Sequence, residues 1–231
     1  MSTETVIPKH VGLILDGNRR WARQHDLPLV EGHRRGYDNL HTILEAALDM
    51  GVEYVSAYVF STENWSRSKL EVNYLMKLII NMLTRDLAEL HERGIRVVWL
   101  GSKQQVSKKV RQAIEDAEAL TAANTRGTFG LCFNHGGHRE IAEAVQRLVA
   151  DGVIVDDITE AKIAEYIDYP DVPPMDLVIR TSGEQRLSNF MLWRGAYSEL
   201  AFTDTLWPDF SVEEFKTILD EYADRGRRFG K

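Results

Sequence analysis

The chain has 231 residues, a length that can bury a substantial core and that fits one large α/β domain as well as two small ones. Its net charge of −7 argues against a general nucleic-acid binder, because a phosphate backbone requires a basic protein surface. No apolar run approaches the length needed to span a bilayer and no secretory signal is recognisable, so we expect a cytoplasmic protein.

The first predicted strand covers residues 10–15 and ends in a turn. Its apolar run is typical of a strand buried on both faces, and Gly17 permits a sharp change of direction after it. Asp16 therefore lies at the carboxyl end of a strand, where α/β sheets bind ligands. One interpretation is that Asp16 holds a divalent cation while the backbone amides of residues 17–20 and the Arg20 side chain hold a phosphate. The other is that Asp-Gly-Asn forms a simple turn or helix cap.

A second polar segment follows the next predicted strand. Residues 31–50 carry a helical apolar stripe with Gly51 as a C-terminal stop, and residues 54–60 form a second buried strand. The loop at residues 61–67, Ser-Thr-Glu-Asn-Trp-Ser-Arg, then offers hydroxyls, an amide, an indole and a guanidinium. This set of groups can bind an anion beside an apolar group.

One long helix is predicted over residues 70–93. Most positions from Leu75 to Leu83 are apolar, which is too wide a face for a simple surface helix. The helix is either buried between the sheet and other helices, or part of its face lines an apolar cavity. Methionine and isoleucine suit the wall of a pocket for a long flexible hydrocarbon, but wall and core look alike in a sequence.

Strands and helices continue to alternate along the rest of the chain. We predict strands at residues 95–100, 128–133 and 177–179, and helices at residues 106–123, 141–150, 159–167 and 212–224. This alternation predicts an α/β fold with parallel strands joined by right-handed helical crossovers, so that all carboxyl ends of the strands lie on one side.

A third polar segment, residues 180–188, follows the strand at residues 177–179. Because the strands are expected to be parallel, the three polar segments should meet in one cleft. The side chains expected there are Asp16 with Arg20, Ser61 with Arg67, and Arg180 with Arg186 and Ser188. Guanidinium and hydroxyl groups match phosphate oxygens, and a single carboxylate leaves room for a metal ion shared with the substrate.

Several well-known motifs are absent or incomplete. Neither a P-loop nor a Gly-x-Gly-x-x-Gly dinucleotide fingerprint occurs. Cys132, His135 and His138 have spacings that suggest zinc, but structural zinc sites usually need four ligands and no fourth is evident nearby. The single pair of aspartates at residues 156–157 imitates the motif of trans-type prenyltransferases, which are all-helical and carry two such motifs. Cys132 is the only cysteine and cannot form an internal disulfide, in agreement with a reducing cytoplasm.

Several sequence blocks, in a fixed order, together resemble the cis-prenyltransferases, and among these the bacterial undecaprenyl diphosphate synthases. The matching blocks are residues 10–22, 32–33, 60–67, 176–190, 193–200 and 206–210. The resemblance covers nearly the whole chain, from His10 to Gly230. It implies a single domain over residues 1–231 with a central, mostly parallel sheet, flanking helices and an apolar tunnel. It also implies that the segment from about residue 190 to residue 231 contributes to a dimer interface.

The resemblance implies a Mg²⁺-dependent condensation of isopentenyl diphosphate with an allylic prenyl diphosphate such as farnesyl diphosphate, repeated with cis double bonds. The implied product is undecaprenyl diphosphate, the lipid carrier for cell-wall sugars. A homodimer is expected, since Arg228-Phe229-Gly230 matches a motif that reaches the partner's active site. A peripheral contact with the inner face of the membrane, for product release, is a further expectation. No nucleic-acid partner is expected.

The resemblance also implies roles for individual residues. Asp16 matches the residue that binds Mg²⁺ with the diphosphate and assists its departure, and Glu199 matches a second metal ligand near the dimer interface. Asn64 matches a residue assigned to proton removal. We expect Asn64 to position the proton instead, because the pKa of an amide is far from the operating pH.

The remaining implied site residues bind substrate. The allylic diphosphate pocket is matched by Gly17, Asn18, Arg19, Arg20, Trp21 and His33. The loop at the reacting carbons is matched by Ser61, Thr62, Glu63, Trp65 and Arg67. The isopentenyl diphosphate site is matched by Arg180, Arg186, Leu187 and Ser188.

Some positions depart from the residues that are usual in the family. Glycine is common where Arg19 stands and arginine where Leu29 stands, so Arg19 offers a replacement for the missing charge. Tyrosine, arginine and glutamine are usual where the chain has His135, His138 and Arg194. These departures leave the substrate preference open.

The sequence also leaves two alternatives open, one for the product and one for catalytic activity itself. Val59 stands where a smaller side chain is often found near the product tunnel, so a synthase of short, medium, branched or cyclised Z-prenyl diphosphates is an alternative. An alternative of another class is a non-catalytic subunit that binds prenyl diphosphates.

Overall fold

The computed structural model describes residues 6–225, and a parallel sheet of six strands forms its centre. The strands are β1 (His10–Ile14), β2 (Tyr54–Ser61), β3 (Ile95–Trp99), β4 (Gly127–His135), β5 (Leu177–Arg180) and β6 (Glu199–Phe202). Their spatial order is β3-β4-β2-β1-β5-β6, and every neighbouring pair is parallel. The predicted single-domain α/β fold is confirmed, and the carboxyl ends of all six strands lie on one side.

Helices flank this sheet throughout the described part of the chain. The α-helices are α1 (Asn18–Gln24), α2 (Leu29–Asp49), α3 (Lys69–Met82), α4 (Leu87–Glu92), α5 (Lys108–Thr121), α6 (Gly137–Ala150), α7 (Glu160–Ala164) and α8 (Val212–Arg225). Short 3₁₀ helices occur at Thr62–Ser66, Val155–Asp157 and Trp207–Asp209. The predicted helix cap at Thr159 is confirmed, because its side chain accepts a hydrogen bond from the Lys162 amide.

Both faces of the sheet are covered, as the apolar strands predict. On β5, Leu177 and Ile179 belong to a large buried cluster, whereas Val178 between them belongs to a smaller one. Successive side chains of a strand point to opposite faces, so the two clusters lie on opposite sides of the sheet.

Strand β1 lies between β2 and β5, at the point where the order of the strands reverses direction. Ile14 at its end pairs with Tyr58 of β2 and with Arg180 of β5. In open α/β sheets such a switch point leaves a crevice outside the carboxyl ends of the strands. The topology therefore places Asp16, two residues beyond β1, at this crevice.

The prediction of one helix over residues 70–93 is wrong, because the chain forms two helices there. The backbone amides of residues 84–86 all donate to the carbonyl of Asn81, which closes a turn after α3. Helix α4 begins beyond this turn at Leu87.

Further differences from the prediction concern β6, α6 and α7. The edge strand β6 is not predicted, because Glu199-Leu-Ala-Phe contains no β-branched residue, unlike β5, which is equally short. Helix α6 begins at Gly137 rather than at residue 141, and α7 ends at Ala164 rather than at residue 167. The predicted dimer motif Arg228-Phe229-Gly230 lies outside the described residues.

Candidate active site

Asp16 and Arg180 form an ion pair across the switch point. Arg180 Nη2 donates to Asp16 Oδ2 at 2.8 Å, and Arg180 Nη1 donates to Ser188 Oγ at 2.8 Å and to the Arg186 carbonyl at 2.6 Å. The side chain of Arg180 is 4% exposed, whereas that of Asp16 is 33% exposed. The arginine is thus fixed inside the protein while the carboxylate reaches solvent. The first and third polar segments meet, as the sequence predicts.

Gly17 and Arg20 complete the surroundings of Asp16. Gly17 has a φ of +113°, which favours glycine, and a Cβ atom there would lie 3.0 Å from the Leu206 backbone. Arg20, in the first turn of α1, donates to Ser182 Oγ, and its Nη2 lies 3.8 Å from Asp16 Oδ2. Two guanidinium groups, of Arg20 and Arg180, therefore face the same carboxylate oxygen.

Two polar cavities open beside these residues. The large polar cavity, about 580 Å³, is lined by residues of all three polar segments: Asp16, Ser61, Glu63, Asn64, Arg67, Arg180 and Ser188, together with Ile14, Leu15, Tyr58, His138 and Asn189. The small polar cavity, about 270 Å³, is lined by Leu15, Asp16, Gly17, Asn18, Arg19, Arg20, Arg23, His33 and Arg67. Asp16 and Arg67 line both of these cavities.

An apolar cavity of about 110 Å³ adjoins the two polar ones. Its apolar walls include Leu40, Val59, Leu75, Leu78, Ile79, Met82 and Trp207, and its polar end is formed by Asn18, His33, Asn64 and Arg67. Leu15 and Arg67 line all three cavities. Part of the α3 face therefore lines an apolar cavity, while Leu75 and Ile79 also belong to the core.

Glu71 is a buried carboxylate that holds the polar end of these cavities together, and the sequence analysis does not identify it. Its Oε1 lies 3.0 Å from His33 Nε2, 2.9 Å from Arg67 Nη1 and 3.8 Å from Arg19 Nε. Burial acts to raise the pKa of Glu71, but the His33 hydrogen bond and the two arginines outweigh it and lower the pKa. Glu71 is therefore ionised at neutral pH and fixes side chains from three elements.

His33 is neutral at neutral pH, because its surroundings lower the pKa of the imidazole. Burial lowers the pKa of its imidazole, and the neighbouring Arg67 and Arg19 charges act in the same direction, while the Glu71 hydrogen bond only partly offsets them. A neutral imidazole that faces Glu71 with one nitrogen keeps the other for a further hydrogen bond.

The loop after β2 forms a tight 3₁₀ turn. The Asn64 side chain accepts a hydrogen bond from the Ser61 amide at 3.2 Å, and the Ser61 side chain accepts one from the Asn64 amide. Trp65 Nε1 donates to Asn134 Oδ1 at 2.8 Å, and its ring packs against Phe60. Asn64 lines the large polar cavity and the apolar cavity, whereas Trp65 supports the loop from behind.

Other residues predicted to bind substrate lie outside the three cavities. Trp21 donates to Asp209, Thr62 donates to Glu63, the Arg186 guanidinium pairs with Glu184, and Leu187 packs against the smaller buried cluster. Glu199 is not brought to Asp16 either. It begins β6 opposite Leu177, at the amino end of the sheet, whereas Asp16 lies at the carboxyl end.

Three of the positions that depart from the family's usual residues have the following locations. Arg194 lies outside the three cavities and is buried against Glu140 and the carbonyls of residues 168, 169 and 172. His135 is buried at the end of β4, where its Nε2 accepts a hydrogen bond from the Met191 amide at 3.1 Å. His138 is exposed and lines the large polar cavity.

A family model described as "Putative undecaprenyl diphosphate synthase" matches residues 14–230 of the chain. The chain belongs to the cis-prenyltransferase family. This match covers the switch point, the three polar segments and most of the walls of the three cavities, so the family assignment and the geometry concern the same part of the molecule.

The similarity of this cis-prenyltransferase to known relatives covers almost its whole length. It is 47% identical to a "Trans,polycis-polyprenyl diphosphate synthase ((2Z,6E)-farnesyl diphosphate specific)" of Thermobifida fusca, over 97% of this chain and 81% of that protein. It is 45% identical to an "Isoprenyl transferase" of Agrobacterium fabrum, over 99% of this chain and 94% of that protein.

Its structure resembles that of lavandulyl diphosphate synthase from Lavandula x intermedia, solved with dimethylallyl diphosphate. The TM-score is 0.93, with 35% identity over 99% of this chain and 100% of that one. Within residues 6–225, none of the helices has both the length and the apolarity to cross a bilayer.

Proposed function

We propose that this cis-prenyltransferase condenses isopentenyl diphosphate with farnesyl diphosphate and repeats the step to give undecaprenyl diphosphate, the lipid carrier for cell-wall sugars. The main support is that two cation-lined polar cavities and one apolar cavity meet at Leu15 and Arg67. Chain elongation needs two diphosphates and one hydrocarbon side by side. Arginine-lined cavities suit the diphosphates, and the apolar cavity suits the hydrocarbon.

The small polar cavity is the proposed site of the allylic diphosphate. Gly17, Asn18, Arg19, Arg20 and His33 line it, and Trp21 supports α1 through its bond to Asp209. Asn18 and His33 also line the apolar cavity. An allylic substrate bound there by its diphosphate would therefore extend its hydrocarbon past His33 between α2 and α3.

The large polar cavity is the proposed site of isopentenyl diphosphate. Arg180 and Ser188 line it, and the Arg186 carbonyl and Leu187 hold the segment that positions them. The exposed Arg186 guanidinium, paired with Glu184, lies two residues before Ser188 and would turn from Glu184 to a bound diphosphate. Residues 61–67, with Ser61, Thr62, Glu63 and Trp65, would hold the side chains of Asn64 and Arg67 between the two substrates.

The reaction breaks the bond between the allylic C1 and its diphosphate and forms a bond from C1 to the terminal alkene carbon of isopentenyl diphosphate. Loss of a proton from the added unit then restores a double bond. Arg20 and Arg67 stabilise the negative charge that develops on the departing diphosphate. The Asn64 oxygen accepts from the Ser61 amide, so its amide nitrogen would donate to an oxygen of pyrophosphate or water and position that oxygen to receive the proton.

Asp16 is the residue proposed to hold Mg²⁺. It is a partly exposed carboxylate that lines both polar cavities, and its two arginine contacts are to Oδ2. Among residues 6–225 no three or more His, Cys, Asp or Glu side chains form a metal cluster, so diphosphate oxygens and water would complete the shell, as Mg²⁺ favours. Mg²⁺ would neutralise charge on the departing diphosphate.

We further propose a homodimer in which Glu199 supplies a second metal ligand near the interface, with the segment from about residue 190 contributing to that interface. In support, β6 is an edge strand, and Leu200 within it and the nearby Tyr197 are exposed. Peripheral contact with the inner face of the membrane would allow release of a long apolar product.

Product sizing tests this function directly. The protein is incubated with farnesyl diphosphate, labelled isopentenyl diphosphate and Mg²⁺, and the dephosphorylated products are separated by length. We expect a ladder of Z-polyprenols ending at undecaprenol, and no product when Mg²⁺ is removed by a chelator. The absence of any elongation would overturn the proposal.

A short or branched product is the second candidate, favoured by the small volume of the apolar cavity and by the likeness to lavandulyl diphosphate synthase. It would give a product of one or two condensations in the same assay, with branching visible by NMR. The alternative of a non-catalytic subunit predicts binding of farnesyl diphosphate without turnover. The polar side chains on which turnover would depend are retained: Asp16, Arg20, Asn64, Arg67, Arg180, Arg186 and Glu199.

A further inference from the structure

The segment at residues 186–191, which contributes the Arg186 carbonyl and Ser188 to the surroundings of Arg180, has a strained backbone. Three of its residues, Ser188, Asn189 and Met191, have positive φ angles, of +49°, +66° and +36°. Residues other than glycine rarely adopt this region, and they keep it only where surrounding contacts hold them there. The segment therefore depends on other parts of the protein for its conformation.

The contacts that hold the segment come from the end of β4 and the start of α6. The Gly137 amide donates to the Asn189 carbonyl at 2.7 Å, and the His138 amide donates to Asn189 Oδ1 at 2.8 Å. A Cβ atom at Gly137 would lie 2.9 Å from the Leu192 amide nitrogen, so glycine is needed for this close approach. The segment consequently lies directly on the amino end of α6.

His135, the last residue of β4, holds the same segment with its side chain. Its Nε2 accepts a hydrogen bond from the Met191 amide at 3.1 Å, and its ring packs edge-on against Tyr58 and Phe190. Burial lowers the pKa of His135 from 6.5 to about 3, so the imidazole is neutral at neutral pH and Nε2 is able to accept. A fixed acceptor thus faces the amide of a strained residue.

The conformation of the segment decides how Arg180 is held. Arg180 Nη1 donates to the Arg186 carbonyl at 2.6 Å and to Ser188 Oγ at 2.8 Å. Both acceptors lie within five residues of Met191 along the chain. A segment that relaxed from its strained backbone would move both acceptors, and the Arg180 guanidinium would lose its orientation in the large polar cavity.

The small polar cavity does not share this support. Its guanidinium groups belong to Arg19, Arg20, Arg23 and Arg67. Arg20 contacts the chain beyond β5 at Ser182, but the Ser182 amide donates to the Thr205 carbonyl and not to β4 or α6. A change confined to residues 186–191 should therefore affect the large polar cavity and spare the small one.

We propose that His135 is a positioning residue for isopentenyl diphosphate and that it acts through its hydrogen bond to the Met191 amide. This inference rests on the proposed function, since it concerns the substrate assigned there to the large polar cavity. His135 lines none of the three cavities, so its effect on the substrate is indirect. The departure from the family's usual tyrosine at this position thus bears on the affinity for one of the two substrates.

The test measures separate KM values for isopentenyl diphosphate and farnesyl diphosphate, together with thermal unfolding. His135→Leu removes the acceptor and keeps an apolar side chain in the buried position. It should raise the KM for isopentenyl diphosphate about tenfold, the size expected from loss of one buried hydrogen bond, and leave the KM for farnesyl diphosphate within about twofold. His135→Gln keeps an acceptor for the Met191 amide and should retain a KM near wild type.

His10→Leu is the matched control for loss of stability. His10 is also a fully buried histidine of the sheet, but it lies at the amino end of β1, where its Nε2 is 2.8 Å from Ser56 Oγ. His10→Leu should lower the unfolding temperature without changing either KM. Loss of positioning is thereby separated from a general loss of stability.

The outcomes separate this inference from the proposed function. A wild type that elongates, with an unchanged KM for isopentenyl diphosphate in His135→Leu, overturns the inference alone. Equal increases in both KM values, or the same increase in His10→Leu or His135→Gln, overturn it as well. A wild type that incorporates no label overturns the proposed function and the inference with it.

A second variant covers the case in which His135→Leu does not fold. His135→Phe also lacks the acceptor but keeps a ring to pack against Tyr58 and Phe190. A raised KM for isopentenyl diphosphate alone in His135→Phe supports the inference, and wild-type KM values in this variant contradict it.

Discussion

Two arginines of this protein, Arg194 and Arg67, both bind a buried glutamate but differ in what remains of their hydrogen-bonding capacity. Arg194 is 1% exposed, and its donors go to Glu140 and to three backbone carbonyls. Arg67 is 27% exposed, binds Glu71 through Nη1, and lines all three cavities. Four hydrogen bonds within the protein hold the first guanidinium, whereas within residues 6–225 the second has a single side-chain hydrogen bond, to Glu71, and keeps donors for a ligand.

The comparison shows how the departures from the family's usual residues should be interpreted. In the sequence, Arg194 is one of the positions that leave the substrate preference open, because a glutamine is usual there. Its place beside Glu140, outside the cavities, makes it a structural cation instead. Arg19, which lines the small polar cavity 3.8 Å from Glu71, and His138, which lines the large polar cavity, are departures that lie at the proposed substrate sites.

The largest effect is expected from removing the Asp16 carboxylate, which lines both polar cavities together with Arg67. Asp16→Ala should reduce turnover by about 10³-fold, because charge stabilisation of the leaving diphosphate is lost. The free energy of unfolding should fall by about 1–3 kcal/mol, since the buried Arg180 loses the acceptor of its Nη2 group but keeps Ser188 and the Arg186 carbonyl.

Initial rates of labelled isopentenyl diphosphate incorporation and urea unfolding measure the two effects of Asp16→Ala. Asp38→Ala, which removes an exposed carboxylate paired with Arg34 outside the cavities, is the control and should leave both values near wild type. Wild-type turnover in Asp16→Ala would contradict the role proposed for Asp16.

Arg194→Met tests the structural side of the comparison. It leaves the fully buried Glu140 carboxylate without its cation and should lower the free energy of unfolding by about 3–5 kcal/mol. Turnover per folded molecule should be retained, because Arg194 lines none of the three cavities. The double variant Glu140→Gln with Arg194→Met removes both charges and should recover most of the stability. A variant that unfolds like wild type but turns over slowly would place Arg194 in the active site after all.

Acid should destabilise the fold through its buried histidines. Burial lowers the pKa of His10 from 6.5 to about 4 and that of His135 to about 3. The unfolded chain therefore binds more protons than the folded protein below pH 6.5. Stability is full above that value and falls as the pH drops toward the folded pKa values. Each histidine should cost on the order of 2 kcal/mol between pH 7 and pH 5.

Urea unfolding at pH 7, 6 and 5 measures this dependence. His135→Gln keeps an acceptor for the Met191 amide and should remove the share of the loss that comes from His135, while His10 and His33, whose pKa values burial also lowers, keep the remainder. His138→Gln changes an exposed histidine and should leave the dependence unchanged. A wild-type stability that is flat over this range would show that His10 and His135 are not held neutral by the fold.

The fold and the meeting of the polar segments could be predicted because they follow from local patterns. Short apolar runs that alternate with amphipathic helices leave parallel strands as the consistent arrangement, and parallel strands bring their carboxyl ends together. Asp16 and Arg180, separated by most of the chain, are placed side by side by this rule alone. The 2.8 Å between them is the geometric consequence.

The parts that could not be predicted depend on long-range contacts. Ser68-Lys-Leu-Glu71 has the pattern of a capping box, and Ser68 does accept a hydrogen bond from the Glu71 amide. The Glu71 carboxylate, however, turns to His33, which is distant in sequence. The break after α3 carries no glycine or proline, and Asp86 there is held by Tyr37 from another helix. Local patterns cannot reveal either contact.

Glu71 also provides the smallest and most discriminating test of the comparison. Glu71→Gln preserves the shape of the side chain and one acceptor, but it removes the charge that holds Arg67 and Arg19 and hydrogen-bonds His33. We expect the KM for farnesyl diphosphate to rise about tenfold, equivalent to ~1.4 kcal/mol, with a smaller change in kcat. Glu89→Gln, which changes an exposed ion pair with Arg93, is the matched control.

The split between KM and kcat distinguishes the two interpretations of Glu71. If the carboxylate only positions the small polar cavity, binding weakens while the chemical step continues, and KM changes alone. A fall in kcat at unchanged KM would instead mean that Glu71 interacts with the reacting groups themselves. A large loss of stability with normal kinetics would make Glu71 the counterpart of Glu140, a buried anion whose arginine serves the fold. Arg67 would then be a structural arginine like Arg194, although it lines the cavities.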